Sequence, residues 1–413
     1  MKLALPIISA IFIVHGQNSC FKGSDDCKFD KYTALIKKAE EEYNECTRPN
    51  TCDCLNQRFK DDLAVFSKGV NQNDFEKARS FGVHYQIIDR KLYRQENCMF
   101  AFRCSGVEHF ILSVINQIPD CEFILNDRDY PQVLKSHQPL PIFSFSKTKE
   151  YADIMYPAWS FWEGGPAISL YPTGIGRWDL TRNVIKKYEN FELKKIFFKI
   201  MLLFIFFIIS RYLDFCFKLF FRRADLMPFK KKISKAFFRG SRTNSERDPL
   251  ILLSRRNSDL VDAQYTRNQA WKSDADTLGQ PAAEEISFED HCSYKYLFNF
   301  RGVAASFRFR HLFLCRSLVF HVGEEWVEFF YMFLKPWIHY VPVSQLNDVE
   351  VLINYFLKNE AVAEKIAQRG FEWIYKYLTI ENIECYWRRM LRQYATLLKF
   401  EVKRNRTLIQ ITK

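Results

Sequence analysis

Asp127, Arg128 and Asp129 stand directly behind the apolar run Cys121-Glu122-Phe123-Ile124-Leu125, which reads as a buried strand. Open α/β sheets keep their chemistry at the carboxyl ends of such strands. Two chemical uses of the pair are open. A D-x-D pair can hold a divalent ion that bridges a diphosphate, or one carboxylate can act as a general base. A purely local role, with Asp129 capping the turn before Pro131, is the third reading. The second half has its own strand ends. Ala236 to Arg239 breaks at Gly240-Ser241-Arg242-Thr243, and Tyr296 to Phe300 breaks at Arg301-Gly302. A helix is predicted after each break, over Pro249 to Arg255 and Val303 to Leu314, and a further strand over Ser317 to Val322. Strand, Gly-containing turn and helix in succession predict an α/β protein with a parallel sheet covered by helices.

The elements that must position these residues begin with a helix over Lys31 to Tyr43. His84 to Ile88 and Arg90 to Tyr93 alternate as a hairpin or as neighbouring strands, and Val107 to Ile118 reads as a helix ended by Pro119. Phe143 to Phe145 is strand-like, and a loop rich in Gly and Trp runs from Trp159 to Gly174. The tail from Val349 to about Phe400 is helical, with Ile383, Tyr386, Trp387, Met390, Leu391 and Tyr394 on one face.

With 413 residues and 48% hydrophobic content, the chain can bury one large core or two smaller ones. The net charge of +12 is spread among 48 acidic residues without a long basic tract, so no nucleic-acid partner is expected. Met1 to Gln17 reads as a signal peptide, its apolar run too short to span a bilayer. An oxidising lumen is therefore expected, where twelve cysteines mostly pair. Spacing leaves their connectivity open. Asn405-Arg406-Thr407 is a glycosylation sequon, usable if its segment is exposed. Gln410-Ile411-Thr412-Lys413 is not a Lys-Asp-Glu-Leu-type retrieval signal.

One stretch differs from the rest. Ten of the forty Phe fall within the 35 residues from Tyr188 to Arg222, yet Lys199, Arg211, Asp214 and Lys218 interrupt the apolar run. A membrane-spanning helix, an amphipathic membrane-surface insertion and an intron read through in frame are the open readings. The excess of Phe, Ile, Lys, Leu, Tyr and Asn, residues of A- and T-rich codons, favours the last. Membrane contact is expected only if the segment is genuine.

The runs Asn97 to Phe100, Arg103 to Phe110, Asn126 through Arg128-Asp129-Tyr130-Pro131-Gln132, Phe143 to Thr148, Asp153 to Trp159, Tyr171 to Leu180, Phe238 to Thr243, Asn268 to Ser273 and Tyr296 to Phe309 resemble the Rumi-type protein O-glucosyltransferases of glycosyltransferase family 90. The resemblance covers about residues 46 to 400 apart from the odd segment, and it favours the type without a filamin-like domain. It implies a GT-B-like pair of Rossmann-type domains facing a central cleft. The expected division is a signal over 1–17, an acceptor-side domain over 18–187, the insertion over 188–222, a UDP-sugar domain over 223–380 and a C-terminal helix, 381–413, returning to the first domain.

The resemblance also implies function. Glucose, or xylose, is moved with inversion from its UDP-sugar to serine in the Cys-x-Ser-x-(Pro or Ala)-Cys motif of epidermal growth factor-like repeats, as in Notch-type receptors. The enzyme is expected to be a monomer of the endoplasmic reticulum lumen, without metal or other cofactor. Asp129 is then the general base. Tyr171, Ser241, Arg247, Val303, Ala304, Ala305, Ser306, Phe307 and Arg308 are the donor-binding positions. Small residues at a helix start let backbone N–H groups approach a phosphate, and Arg308 would neutralise the leaving diphosphate. Met99, Phe100, Ala101, Phe102 and Arg103, with Ala167, Ile168, Ser169, Leu170, Tyr171 and Pro172, line the acceptor groove. The implied disulfides are Cys46–Cys54, Cys52–Cys385, Cys98–Cys104 and Cys292–Cys315; Cys20 and Cys27 are left to pair, with Cys121 and Cys216 free. Rival readings are an inactive lumenal protein that binds such repeats and an isoform disabled by the insertion.

Overall fold

The computed structural model describes residues 25–48, 51–165, 176–183, 227–267 and 271–412. The signal segment, Cys20, Cys216 and the anomalous Tyr188–Arg222 stretch lie outside the described residues.

In chain order the strands among the described residues are β1 (Val83–Ile88), β2 (Lys91–Arg94), β3 (Cys121–Leu125), β4 (Ile142–Ser144), β5 (Ser146–Lys147), β6 (Ile154–Met155), β7 (Ile233–Gly240), β8 (Val261–Tyr265), β9 (Tyr294–Phe300), β10 (Leu318–Val322), β11 (Val327–Glu328), β12 (Val341–Val343) and β13 (Ile409–Ile411). They form two large sheets, ordered β13-β2-β1-β3-β4-β6 and β12-β10-β9-β7-β8. The second is parallel throughout, with β7 beside β8 and β9, and β10 between β9 and β12. The first is mixed: β3, β4 and β6 run parallel, while β1, β2 and β13 pair antiparallel. The two α/β units make the GT-B-like arrangement, the first carrying an antiparallel edge.

Burial explains the strands. Every residue of β3 and β10 is buried, as expected where helices cover both faces of a sheet. In β9, alternate residues serve different cores: Tyr296, Phe298 and Phe300 join the outer core of the second unit, whereas Leu297 joins the core shared with the first. The helix Ile380–Ala395 starts at Thr379, whose hydroxyl accepts the Asn382 N–H at 3.1 Å. Its buried face carries Ile383, Tyr386, Trp387, Met390, Leu391 and Tyr394, and the helix packs on the helix Ala101–Val114. A Tyr386 hydroxyl bond to the Met155 carbonyl, 3.0 Å, and the Cys52–Cys385 disulfide hold it against the first unit.

Among the described residues the other disulfides are Cys46–Cys54, Cys98–Cys104 and Cys292–Cys315, while Cys121 is buried and free. The helix Asp25–Glu42 departs from the expected division. Tyr32 and Ile36 bury themselves in the outer core of the second unit, and Glu40 pairs with Lys365 and Arg369. Its apolar face finds Trp337 and Tyr355 as ring partners, so a segment assigned by position to the acceptor side belongs by packing to the other.

Candidate active site

Beyond β3 the chain turns over the sheet edge through residues 126–133, and the turn is pinned from inside. Asn126 is fully buried. Its Nδ2 donates to the Tyr130 carbonyl (2.7 Å) and to Ser144 Oγ (3.0 Å), and its Oδ1 accepts from the Arg128 N–H (3.0 Å). Buried Asp153 accepts from the Gln132 and Val133 N–H groups, each at 2.8 Å, and from the Ser144 hydroxyl at 2.6 Å. Desolvation raises its pKa, opposed by those bonds.

The two carboxylates of the D-x-D sequence have separate fates. Asp127 is buried, and its Oδ2 accepts the Met99 N–H at 3.0 Å. Asp129 keeps a side chain 39% exposed, paired with Arg103 Nη2 at 2.9 Å. Arg103 also donates to the Asp127 carbonyl (2.7 Å), and its guanidinium lies 4.3 Å from the Phe100 ring and 5.4 Å from Trp159. It is thus fixed on both sides before it reaches Asp129. Cys98, Cys104 and Asp127 come close enough together to suggest a metal cluster, but the two sulfurs are joined to each other and are not thiolate ligands.

The second unit contributes arginines. After β7, Arg247 folds back under its own loop, donating to the Ser241 carbonyl and, at 2.6 Å, to the Arg301 carbonyl. Burial pushes its pKa down to about 9, with Arg308 adding repulsion. Arg308 Nη1 donates to the Arg239 carbonyl at 2.6 Å, and burial pushes it down to about 10. Gly240 makes room for it: a Cβ there would lie 3.2 Å from Arg308 Nη1 and 3.0 Å from the Phe238 ring. These cations rest on carbonyl oxygens, which leaves their charge available to an anion.

Aromatic contacts join the two sides. Phe307 lies 5.5 Å from Phe145 and 5.1 Å from Trp159, the rings that also flank Arg103. Tyr130, next to Asp129, meets Trp326 of the second unit edge-on at 5.5 Å. The carboxylate turn and the arginine loops therefore share one wall.

Sequence comparison places the chain in a family. The chain matches Glycosyl transferase family 90 over residues 47–195 and 211–413. It belongs to glycosyltransferase family 90. Among its relatives are an O-glucosyltransferase rumi homolog of Aedes aegypti, 52% identical over 95% of this chain and 89% of that protein, and Protein O-glucosyltransferase 1 of Homo sapiens, 50% identical over 93% and 90%. O-glucosyltransferase rumi of Drosophila melanogaster is 48% identical over 96% and 91%. Among solved structures, Anabaena Alr3699/HepE in complex with UDP-glucose shares 9% identity over 39% of this chain and 41% of that one, with a TM-score of 0.25.

As a member of family 90 the chain is a glycosyltransferase, and the expected site residues can be followed where the structure describes them. Met99 and Phe102 are exposed beside the Asp129 turn; Phe100, Ala101 and Arg103 are at the start of the helix Ala101–Val114. That helix begins six residues before the predicted Val107, just after Cys98 and within the Cys98–Cys104 disulfide. Ala167, Ile168, Ser169, Leu170, Tyr171 and Pro172 lie outside the described residues. The predicted helix from Val303 is corrected: residues 301–307 form a loop and the helix is Arg308–Leu314. Gly302 N–H is taken by the Ala304 carbonyl at 3.0 Å, and Ala304 and Ala305 are buried with Trp326 while Val303 is exposed. Loop N–H groups, rather than a helix terminus, are what these small residues offer. Residue-by-residue reading missed Trp159, Phe145, Tyr130 and Trp326; the aromatic run Tyr156 to Trp162 was the available signal for the first.

Proposed function

We propose that this chain transfers glucose from UDP-glucose, with inversion and without a metal ion, to the serine of Cys-x-Ser-x-(Pro or Ala)-Cys in folded epidermal growth factor-like repeats, as in Notch-type receptors. Asp129 takes the hydroxyl proton, and the serine oxygen forms a bond to the anomeric carbon as the bond from that carbon to the diphosphate oxygen breaks. The negative charge that appears on UDP is met by Arg308, Arg247 and the N–H groups of the loop Val303–Phe307. One displacement inverts the anomeric centre. The observation that carries the reading is the shared wall: a half-exposed, arginine-paired Asp129 and the Arg308 loop meet at Phe145, Trp159 and Phe307.

The names of the curated relatives support glucose and a protein acceptor. Metal independence is supported by Asp127, whose carboxylate is engaged with the Met99 N–H, and by arginines that can take an ion's part. UDP-xylose, which lacks only a hydroxymethyl group, is proposed as a second donor. The protein works as a monomer in the lumen of the endoplasmic reticulum, where its disulfides persist.

The test is transfer of labelled glucose from UDP-glucose to a refolded repeat, without and with EDTA, by chains with and without Tyr188–Arg222. EDTA-resistant transfer is expected, and the family match that passes over residues 196–210 leads us to expect it from the shortened chain. Tight repeat binding with no transfer by either chain would favour a binding protein instead.

A further inference from the structure

Two residues beyond Arg308, on the same helix, Arg310 is withdrawn from solvent altogether, and so is Glu328, whose Oε2 lies 3.5 Å from Arg310 Nη1. Neither is accounted for by the chemistry above. A buried ion pair is a poor source of stability, because desolvating two charges costs about as much as their attraction returns. Its geometry here is informative. Arg310 Nη2 crosses to the first unit and donates to Ser160 Oγ at 2.8 Å, where Ser160 is itself fully buried. Its guanidinium lies 4.0 Å from the Phe161 ring of that unit and 5.7 Å from Phe307 of the donor loop. Glu328 sits in β11, which pairs antiparallel with β5 and so crosses the same seam, Glu328 opposite Ser146. Ser160 follows Trp159, the ring against both Phe307 and Arg103.

We propose that Arg310 is a positioning residue for glycosyl transfer: held by Ser160 on one side and Glu328 on the other, it sets the Arg308 end of its helix relative to Asp129. The inference rests on the functional reading above, since it assigns Arg310 a part in aligning that reading's base with its leaving group. Arginine suits the task because its planar fork reaches two partners in fixed directions while its face stacks on rings, which a lysine does not do. Small misalignments matter, since a displacement of about 1 Å at a reacting centre can cost about 100-fold in rate.

The experiment compares the full chain with Ser160→Ala, Arg310→Lys and the double variant Arg310→Met/Glu328→Leu. The double variant removes both charges together, so no unpaired ion is left buried. Active sites are counted by UDP titration, and kcat per UDP-binding site, KM for UDP-glucose and Tm are measured on each. The double variant is expected to hold UDP within about 2-fold of wild type while kcat per site falls about 10- to 100-fold. Ser160→Ala, losing only the cross-unit bond, should fall about 3- to 10-fold, and Arg310→Lys should lie between wild type and the double variant. A merely structural role would lower Tm and the number of UDP sites but leave kcat per site unchanged, and that result overturns the proposal. If the double variant yields no UDP sites, Ser160→Ala decides, a wild-type kcat there being equally fatal. Absence of transfer by the wild-type chain would instead overturn the functional reading, and this inference with it.

Discussion

The two sides of the wall solve opposite electrostatic problems. On the first unit the carboxylates are settled: Asp153 and Asp127 are occupied by backbone N–H groups, and Asp129 is left half-exposed with one arginine beside it. On the second unit Arg247 and Arg308 are crowded together, served by carbonyls and pushed below the usual arginine range. The lesson is that the proton acceptor is prepared by neutralising its surroundings, whereas the leaving-group site is prepared by concentrating like charge. A site of the second kind gains most when a dianion arrives.

The comparison breaks most sharply at Asp129. Asp129→Asn keeps the Arg103 neighbour but removes the base, so transfer should fall about 1,000-fold or more while UDP affinity, measured by calorimetry, stays within about 2-fold. Equal loss of UDP affinity would show that the two sides are not separable. Next in size is Arg308→Ala, expected to lower kcat/KM for UDP-glucose about 100-fold, with repeat binding by the same protein unchanged.

Acid should act on the arginine side. Burial holds His291, His321 and His339 down at about 3 and His311 well below its usual value; neighbouring arginines add to the effect at His291, His311 and His339. Unfolded, these groups take protons near 6.5, so each contributes stability that is intact above that pH and lost as pH falls toward 3, at about 1.4 kcal/mol per unit. Glu328, raised by burial to about 7, has the opposite sign over 4.5 to 7. The buried histidines outnumber the carboxyls that burial raises, Glu328 and Asp153, so the net effect of acid below pH 6.5 is a loss of stability. Denaturant midpoints at pH 7, 6 and 5 should fall steeply; a flat series would contradict the buried neutral histidines.

The smallest change sharpens the comparison. Gly240→Ala would press a methyl group against Phe238 and the Arg308 guanidinium. KM for UDP-glucose should rise about 3-fold with little change in kcat at saturation, since the Asp129 side is untouched.

Local pattern made much of this legible. The apolar run of β3, the break after Gly240 and the periodic face of Ile380–Ala395 each report burial by neighbours close in sequence, so hydrophobic spacing located them. The helix after Gly302 was misplaced because Ala304, Ala305 and Ser306 have helical character by composition, yet Trp326 and Tyr331 claim that loop from elsewhere in the chain. Asp129 was singled out from Asp127 by the family resemblance, not by any local property: a single residue separates the two carboxylates, and it is Met99 and Arg103 that give them different surroundings.

By itself the sequence determined the family, the alternation of strands and helices, and which residue types could act as base and anion holder, because all of these are carried by short runs and their spacing. Tertiary structure alone decided which carboxylate stays exposed, that the helix Asp25–Glu42 packs on the second unit, and that Arg310, Ser160 and Glu328 meet across the seam. The reason is that burial and charge pairing depend on partners up to hundreds of residues away, and no local pattern records who those partners are.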